Sequence, residues 1–273
     1  MRPTRTVLVT GASSGIGAAC SRRLATAGWD VLAGVRSPGD APEGTTEVIL
    51  DVTDAEAIRA ASERIETLHG LVDNAGIAVA APLELLPLDE LRRQLEVNLI
   101  GQLAVTQACL PALRRGYGRI VIVGSIAGRS ALPFLGAYAI SKFGLEALAD
   151  SLRLELAPDG ISVSIVAPGT IATPIWSKPQ RVVDAMPAEA LERYSSRLRT
   201  FRTLAAARAA KATPAESVAA AIEHALRAPR PRTRYLVGRD ARLRAAVELL
   251  PDRLRDRVLE RVLFEEGGRA PRW

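Results

Sequence analysis

Residues 7–17 read VLVTGASSGIG, and this stretch decides the fold class. A β-branched run, Thr6–Thr10, ends in a glycine turn, and an apolar helical pattern begins directly after it. Glycines in such a turn let the backbone bend sharply and approach a pyrophosphate, which then lies on the helix N-terminus. The spacing is G-x-x-x-G-x-G rather than G-x-G-x-x-G, so the turn alone also fits an ordinary tight strand–helix connection. The turn residues that would contact such a ligand are Gly11, Ser13, Ser14, Gly15, Ile16 and Gly17.

Short apolar runs alternate with longer helical patterns through the first two thirds of the chain. We expect six strands that are buried on both faces and a short seventh strand, with amphipathic helices between them. The alternation predicts an α/β fold, a single Rossmann-type doubly wound domain with a parallel sheet of about seven strands and helices on both faces. The strands are predicted at 6–10, 31–35, 48–50, 71–74, 120–124, 161–167 and 235–237, and the helices at 16–27, 54–68, 88–115 and 138–156.

Two segments fall outside this alternation. Residues 172–215 follow a strand, contain Pro174, Pro179 and Pro187, and then become helical and basic. An excursion of this kind beyond the carboxyl end of a strand usually covers a ligand crevice, so we expect a lid. Residues 239–266 are predicted as a C-terminal helical extension of the same domain, which spans 1–273 around a core at 5–237.

The composition excludes several classes of protein. The 273 residues are 48% hydrophobic and 24% charged, an ordinary globular balance. With only Cys20 and Cys109, a disulfide framework is not expected, and no metal site is predicted. No apolar run is long and unbroken enough to span a bilayer, and the N-terminus lacks a signal-peptide pattern, so we expect a cytoplasmic protein.

The charge is unevenly distributed along the chain. The net charge is +6, but residues 1–177 hold 15 basic and 18 acidic groups, whereas residues 178–273 hold 21 and 12. The arginines of the basic part alternate with Asp, Glu and Leu at helical spacing, and almost no aromatic residue is present for base stacking. We therefore expect a solvated helical surface and no nucleic-acid binding. A peripheral membrane contact through the C-terminal helices is the less favoured alternative.

The end of the second predicted strand bears on the choice of dinucleotide. An acid usually stands there when the ligand is NAD, because it accepts hydrogen bonds from the ribose hydroxyls. This chain has Val35 at that position and Arg36 beside it, and a guanidinium can grip a 2′-phosphate. The residues favour NADP(H) over NAD(H), although Arg36 also fits an ordinary surface arginine. Asp51 and Val52 close the third strand and would suit the adenine; Asp51 could equally be a helix N-cap.

Tyr138 and Lys142 stand four residues apart and therefore share one face of a predicted helix. A phenol has an ordinary pKa of about 10, and a neighbouring ammonium favours its ionised form. Lys142 is one of three lysines against 33 arginines, so a compact ammonium is favoured at this position. The isolated Y-x-x-x-K pair is common by chance, but Ser125 follows the fifth strand at the edge where a crevice should open, and Asn98 lies in mid-helix.

With these elements together, the sequence resembles the short-chain dehydrogenase/reductase family. The separations fit that family: 27 residues from Asn98 to Ser125, 13 to Tyr138 and 4 to Lys142. The resemblance spans about residues 5–237. Its matching elements are Thr10–Gly17, Asp73–Gly76, Asn98, Ser125, Tyr138, Lys142, and Pro168-Gly169 followed by Thr173.

The resemblance implies hydride transfer between a nicotinamide and an alcohol or carbonyl carbon. It makes Tyr138 the general acid/base, and Ser125 the group that polarises the substrate oxygen. Lys142 would lower the Tyr138 pKa and hold the nicotinamide ribose, and Asn98 would kink its helix and hold a water on the proton path. Asp73 stands where the family more often has asparagine, and we expect a turn role for it. The remaining implied cofactor contacts are Asn74, Ala75, Gly76, Pro168, Gly169, Ile171 and Thr173.

The substrate is less closely defined by the sequence. Residues 31–36 and 234–238 resemble the branch that contains 17β-hydroxysteroid and retinol dehydrogenases, which implies a steroid, a retinoid or an aromatic ketone. No arginine or lysine lies between Gly169 and Lys178, so the sequence offers an anionic substrate no obvious counter-charge. A homodimer or homotetramer is expected, as is common in the family. The alternatives are a non-catalytic dinucleotide-binding regulator and an NAD-dependent alcohol dehydrogenase. The predicted substrate contacts are Ser125, Phe134, Tyr138, Ile175 and Trp176.

Overall fold

In the computed structural model of the protein, seven parallel strands form one sheet with the order β3-β2-β1-β4-β5-β6-β7. The structure describes residues 5–176, 186 and 188–264. The predicted Rossmann-type sheet is confirmed, and every predicted strand lies within two residues of an observed one. The strands are β1 (Arg5–Thr10), β2 (Trp29–Val35), β3 (Thr46–Ile49), β4 (Gly70–Asp73), β5 (Arg119–Val123), β6 (Ser162–Pro168) and β7 (Arg234–Val237).

The strand order reverses at β1, which pairs with β2 on one side and with β4 on the other. Connections after β1 and after β4 therefore lead away from each other, and a crevice opens at the carboxyl ends of these strands. The predicted site residues after β1, β2, β4, β5 and β6 all lie at this edge of the sheet.

Helices cover both faces of the sheet. Leu24 of α1 and Ile222 of α8 belong to the core on one face, and Leu113 of α4 and Leu145 of α5 belong to the core on the other. The described helices are α1 (Gly15–Thr26), α2 (Ala55–Glu63), α3 (Leu88–Leu95), α4 (Gly101–Gly116), α5 (Gly136–Glu155), α6 (Ala188–Glu192), α7 (Ser195–Ala209), α8 (Ala215–Arg227), α9 (Arg239–Val247) and α10 (Asp252–Phe264).

One expectation about these elements is wrong: β3 is not buried on both faces, because it is the edge strand of the sheet, and Ile49 is 47% exposed. The long helix predicted over 88–115 is present as α3 and α4, joined by a π-helical turn at Glu96–Ile100 that holds Asn98, the residue expected to kink this helix. Such insertions occur where a side chain competes for the helical backbone, often at functional sites.

An aromatic cluster joins the lid segment and the C-terminal extension to the loop after β5. The ring of Phe134 lies 6.2 Å from that of Tyr194, 5.5 Å from that of Phe201 and 6.5 Å from that of Phe264, edge to face in each case. The Arg197 guanidinium stacks 4.7 Å from the centroid of the Phe264 ring. These contacts fix α7 and α10 over the carboxyl end of β5.

Candidate active site

The glycine turn between β1 and α1 has the shape that a dinucleotide pyrophosphate needs. Gly11 and Gly15 have positive φ angles of +63° and +55°, which favour glycine. A Cβ on Gly17 would lie 2.2 Å from the Gly11 carbonyl oxygen, so only glycine fits there. Ser14 begins α1 without a side-chain cap, and the first turn of the helix has no acidic residue. The cradle therefore fits an anion on the helix N-terminus, and Gly11–Gly17 would hold the pyrophosphate.

The end of β4 holds this turn in place. The Thr10 hydroxyl accepts the backbone N–H groups of Asn74 (2.9 Å) and Ala75 (3.0 Å). In return, the Asn74 amide donates to the carbonyl oxygens of Thr10 and Gly11, at 2.9 and 3.1 Å. A Cβ on Gly11 would lie 2.9 Å from Cα of Ala75, so the two segments are in direct backbone contact. Asn74 thus fixes the backbone of the glycine turn to the end of β4.

At the end of β2, Val35 is buried and Arg36 is exposed. Within the described part of the chain, Arg36 has no hydrogen bond or ion pair, so its guanidinium is available to a ligand. Asp51, after β3, accepts from both the backbone N–H and the hydroxyl of Thr53. The N-cap of α2 is Asp54 rather than Asp51, because Asp54 accepts the free N–H groups of the first helical turn.

The segment after β6 crosses the glycine turn. The Gly169 N–H donates to the Val237 carbonyl at 2.9 Å, and Ile171 is buried in a bridge with Thr213. A Cβ on Gly15 would lie 3.2 Å from the Thr173 side chain. Pro168, Gly169, Ile171 and Thr173 therefore lie where a nicotinamide would meet the pyrophosphate cradle.

Tyr138 and Ser125 meet as a buried pair. The Tyr138 side chain is 8% exposed and is hydrogen-bonded to the Ser125 hydroxyl, which also accepts the Ala127 N–H at 3.1 Å. Burial raises the pKa of Tyr138, and the Ser125 hydrogen bond and the positive charge of Arg244 oppose that rise. A neutral phenol of this kind can give a proton to a substrate oxygen and take it back.

Lys142 lies one helical turn from Tyr138 and is 4% exposed. Its ammonium is 5.7 Å from the centroid of the Tyr138 ring and donates to the Val123 carbonyl at 2.9 Å. Burial lowers the pKa of Lys142 to about 7. The predicted effect of Lys142 on Tyr138 and its predicted contact with the ribose remain predictions.

Asn98 lies in the π turn, with its side chain directed at the loop after β4. Its amide oxygen accepts the Ile77 N–H at 2.8 Å, and its amide nitrogen donates to the Ile77 carbonyl (3.0 Å) and the Ser141 hydroxyl (3.1 Å). Gln94 also donates to the Ile77 carbonyl, at 2.8 Å. The side chain of Asn98 thus ties the helix break to the crevice and to α5, and its predicted water contact remains a prediction.

The predicted substrate residues lie in different environments. Phe134 is buried inside the aromatic cluster described above, and its backbone has a positive φ of +66°. Ile175 is half-buried in the short 3₁₀ turn Pro174–Trp176. The Trp176 side chain and Lys178 lie outside the described part of the structure.

The sequence interpretation missed a group of polar residues from the C-terminal extension. The Asp240 carboxylate accepts the Thr170 N–H at 2.6 Å, directly beside Gly169. Arg244, one turn later in α9, donates to the carbonyl oxygen of Ser130 in the loop after β5. The expectation of a fully solvated extension is therefore wrong for Arg244. An acid and an arginine four residues apart, directly after a strand end, were the available signal.

Among the residues that the structure describes, no helix is both long and apolar enough to cross a bilayer. In the same part of the chain, no group of three or more His, Cys, Asp or Glu side chains is arranged to hold a metal ion.

Comparison with known proteins extends these observations. The family model for short chain dehydrogenase matches residues 5–182. The chain is 35% identical to retinol dehydrogenase 5 of Mus musculus over 94% of this chain and 88% of the relative. It is 45% identical to 3-amino-tetrahydro-pyrrolizinone reductase of Xenorhabdus hominickii, in a match that covers 64% of each chain.

The structure matches a short chain dehydrogenase from Burkholderia cenocepacia in complex with NADP, with a TM-score of 0.75, 26% identity, and coverage of 94% of this chain and 97% of the other. The chain therefore belongs to the short-chain dehydrogenase family and is an NAD(P)-dependent oxidoreductase of the branch that resembles retinol and hydroxysteroid dehydrogenases.

Proposed function

We propose that the protein interconverts a ketone or aldehyde and an alcohol on a predominantly apolar substrate, with NADP(H) as cofactor and Tyr138 as general acid/base. The observation that carries this proposal is the burial of Tyr138, Ser125 and Lys142 at one edge of the sheet, with the Lys142 ammonium 5.7 Å from the centroid of the phenol ring. A bound nicotinamide would supply or accept the hydride.

The protein's own residues would handle the proton. In the direction of reduction, the Ser125 hydroxyl holds the carbonyl oxygen and the Tyr138 phenol donates its proton to that oxygen. In oxidation, the same phenol oxygen takes the proton from the alcohol. Water is largely kept from the reaction, because Ser125, Tyr138 and Lys142 are each buried.

The decisive test is Tyr138→Phe, assayed by NADPH oxidation over a panel of steroids, retinoids and aromatic ketones. We expect kcat to fall by about 10²- to 10⁴-fold, because only the proton-transfer group is lost, with cofactor affinity near that of the wild type. Tyr117→Phe is the matched control, since the Tyr117 side chain is 81% exposed and lies at the end of α4. Retention of more than a few per cent of kcat in Tyr138→Phe would contradict the assignment.

The preference for NADP(H) rests on the end of β2. No acid stands at Val35 to repel a 2′-phosphate, and the Arg36 guanidinium is exposed and without a partner among the described residues. A charge-assisted contact there would favour NADPH over NADH by roughly 10- to 100-fold in affinity.

The apolar substrate class rests on the two segments that border the crevice, one after β5 and one after β6. The loop after Ser125 contributes Leu132 and Phe134, and the segment after Gly169 contributes Ile171. An apolar ring system gains about 25 cal/mol for each Å² that is removed from water. Steroids, retinoids and aromatic ketones therefore fit this border better than sugars do.

We also propose a homodimer or homotetramer. The surface around the start of α4 and along α5 exposes the apolar side chains of Ile100, Ile140, Phe143 and Leu154. A groove of about 460 Å³ between α2 and α4 extends this surface. Apolar area of this kind is usually covered by a partner. Light scattering should give a dimer or tetramer mass, and a monomer mass at micromolar concentration would contradict the proposal.

The state of the two cysteines favours a cytoplasmic location. Both cysteines are free and buried, and burial raises each thiol pKa to about 12, so neither is positioned to form a disulfide.

A further inference from the structure

We propose that Arg244, supported by Arg208, forms a binding subsite for an anionic group of the substrate, so that the enzyme acts on amphipathic carbonyl compounds or alcohols that carry a carboxylate or a similar anion. This inference rests on the proposed function, because it defines the substrate of the same catalytic centre.

The position of Arg244 is the first observation. Helix α9 packs against the short turn Ile126–Gly128, which follows Ser125. Within that turn, a Cβ on Gly128 would lie 2.5 Å from the Lys142 carbonyl, so the turn is in direct contact with α5. The Arg244 guanidinium donates to the Ser130 carbonyl, with its Nε 3.4 Å from the Ser130 hydroxyl. Arg244 thus lies on the wall of the catalytic centre.

The orientation of α9 is the second observation. Asp240 and Arg244 are one helical turn apart and share a face. The Asp240 carboxylate is bound at the segment after β6, beside Gly169, and Arg244 is bound at the loop after β5. This face of α9 therefore spans the two segments between which the substrate carbonyl would lie.

Arg208 adds a second positive charge. It lies two helical turns after Phe201 in α7, on the same face, and Phe201 contacts the ring of Phe134. Its charge is near enough to Arg244 to contribute, after burial, to lowering the Arg244 pKa to about 10. Burial likewise lowers the pKa of Arg208.

The two guanidinium groups share their nearest carboxylate, because the negative charge of Asp240 acts to raise the pKa of both Arg208 and Arg244. Of the acids nearest to Arg244, Asp240 is engaged by the Thr170 N–H, and Glu248 is 3.5 Å from Arg255. Within the described residues, neither Arg208 nor Arg244 forms an ion pair. Two desolvated cations that share the one carboxylate of Asp240 leave an excess of positive charge, and an anion that binds between them would offset the cost of burying it.

The cofactor phosphates do not fit this position. The predicted 2′-phosphate site, Arg36, follows β2, whereas Ser130 and its partner Arg244 lie beyond β5. Strand β5 is three positions from β2 in the sheet, which at strand spacing is about 14 Å. The pyrophosphate cradle belongs to β1 and α1. An anion at Arg244 is therefore part of the substrate.

The test compares 3-benzoylpropionate with its methyl ester, a matched pair of ketones that differ in one negative charge. We expect kcat/KM for the acid to exceed that for the ester by about 10- to 100-fold in the wild type, because a charge-assisted pair is made only by the acid. Arg244→Met should bring the ratio of kcat/KM for the acid to kcat/KM for the ester close to one, and this ratio cancels any effect of the lost charge on Tyr138 that both ketones share. Arg208→Met should reduce the preference by a smaller factor. Arg242→Met is the control, since Arg242 is exposed on the same helix.

Binding of phenylbutyrate, measured by calorimetry, separates this inference from the proposed function, because phenylbutyrate has no carbonyl to reduce. Binding to the wild type that is lost in Arg244→Met but kept in Arg242→Met would support the subsite even if no ketone were reduced, an outcome that contradicts only the proposed function. No binding to the wild type, or an equal loss of kcat/KM for acid and ester in Arg244→Met, would overturn the inference. If Arg244→Met does not fold, Arg244→Gln keeps a donor near Ser130 and serves in its place.

Discussion

The two halves of the crevice are built from different materials. The candidate cofactor half, at the carboxyl ends of β1, β2 and β4, is shaped by backbone: Gly17 fits only because it has no Cβ, and the Arg36 guanidinium is exposed. The catalytic half, at the carboxyl ends of β5, β6 and β7, is made of buried side chains, among them Ser125, Tyr138 and Lys142. A backbone-built site is sensitive to added volume, whereas a site built from side chains is sensitive to lost chemical groups.

Gly17→Ala should have the largest effect on the cofactor half. The new Cβ would lie 2.2 Å from the Gly11 carbonyl oxygen and 2.6 Å from the Asn74 amide, so the turn must open. We expect NADPH affinity, measured by calorimetry, to fall on the order of 100-fold, since neither the Gly11 carbonyl nor the Asn74 side chain that donates to it can move without losing the cradle.

Gly28→Ala is the control for this variant. Gly28 has a φ of +83°, but nothing lies within 4 Å of its added Cβ, and the residue follows α1 on the side away from the crevice. It should lower stability by roughly 1–2 kcal/mol with NADPH affinity unchanged. Equal losses of affinity in Gly17→Ala and Gly28→Ala would show that general destabilisation, and not the cradle, controls binding.

Arg36→Ala tests the charged group of the same half. We expect NADPH affinity to fall by roughly 10- to 100-fold with NADH affinity unchanged, because only the 2′-phosphate contact is removed. Val35→Asp should shift the preference toward NADH by adding a carboxylate near the ribose. Fluorescence titration of both cofactors measures these changes, and tighter binding of NADH than NADPH to the wild type would contradict the interpretation.

Asp73→Asn tests the strand on which the two halves meet, and should change stability rather than function. Burial raises the pKa of Asp73 from its ordinary 3.8 to about 7, against a hydrogen bond from Thr106. Between about pH 4 and 7 the folded protein keeps a proton that the unfolded chain loses, so stability falls as pH rises through this window. Asparagine cannot ionise. At pH 8 we therefore expect the free energy of unfolding of the variant to exceed that of the wild type by on the order of 2 kcal/mol, roughly 4–8 °C in Tm, and at pH 4 we expect little difference.

Asp40→Asn, at an exposed acid, is the control for that comparison. Thermal unfolding from pH 4 to 8 should follow the wild type in Asp40→Asn and flatten in Asp73→Asn. Parallel curves for wild type and Asp73→Asn would show that Asp73 ionises as an ordinary acid. Unchanged NADPH affinity and kcat in Asp73→Asn would place this acid outside both halves of the crevice.

The glycine turn between β1 and α1 could be predicted because its determinants are neighbours in sequence. The glycine spacing, the β-branched run before it and the missing acid at Val35 are each visible within a few residues. The exposure of β3 could not be predicted in this way, because an apolar run looks the same in an edge strand and in a central one. Which position it takes depends on strand order, which forms only in the sheet.

For the catalytic half, the sequence determined the chemical groups, and the tertiary structure decided which distant residues lie beside them. Tyr138 and Lys142 share a face because helical geometry puts residues four apart together, which holds before any packing. Arg244 lies 114 residues from Ser130 in the sequence, and a contact between residues so far apart cannot be predicted from the local pattern of apolar and polar residues. Its helix is basic and weakly amphipathic, so the sequence pattern indicates solvent exposure. Only the packing of α9 across the ends of β5 and β6 removes Arg244 from water, because burial depends on which distant segments meet rather than on the residues beside it in the chain.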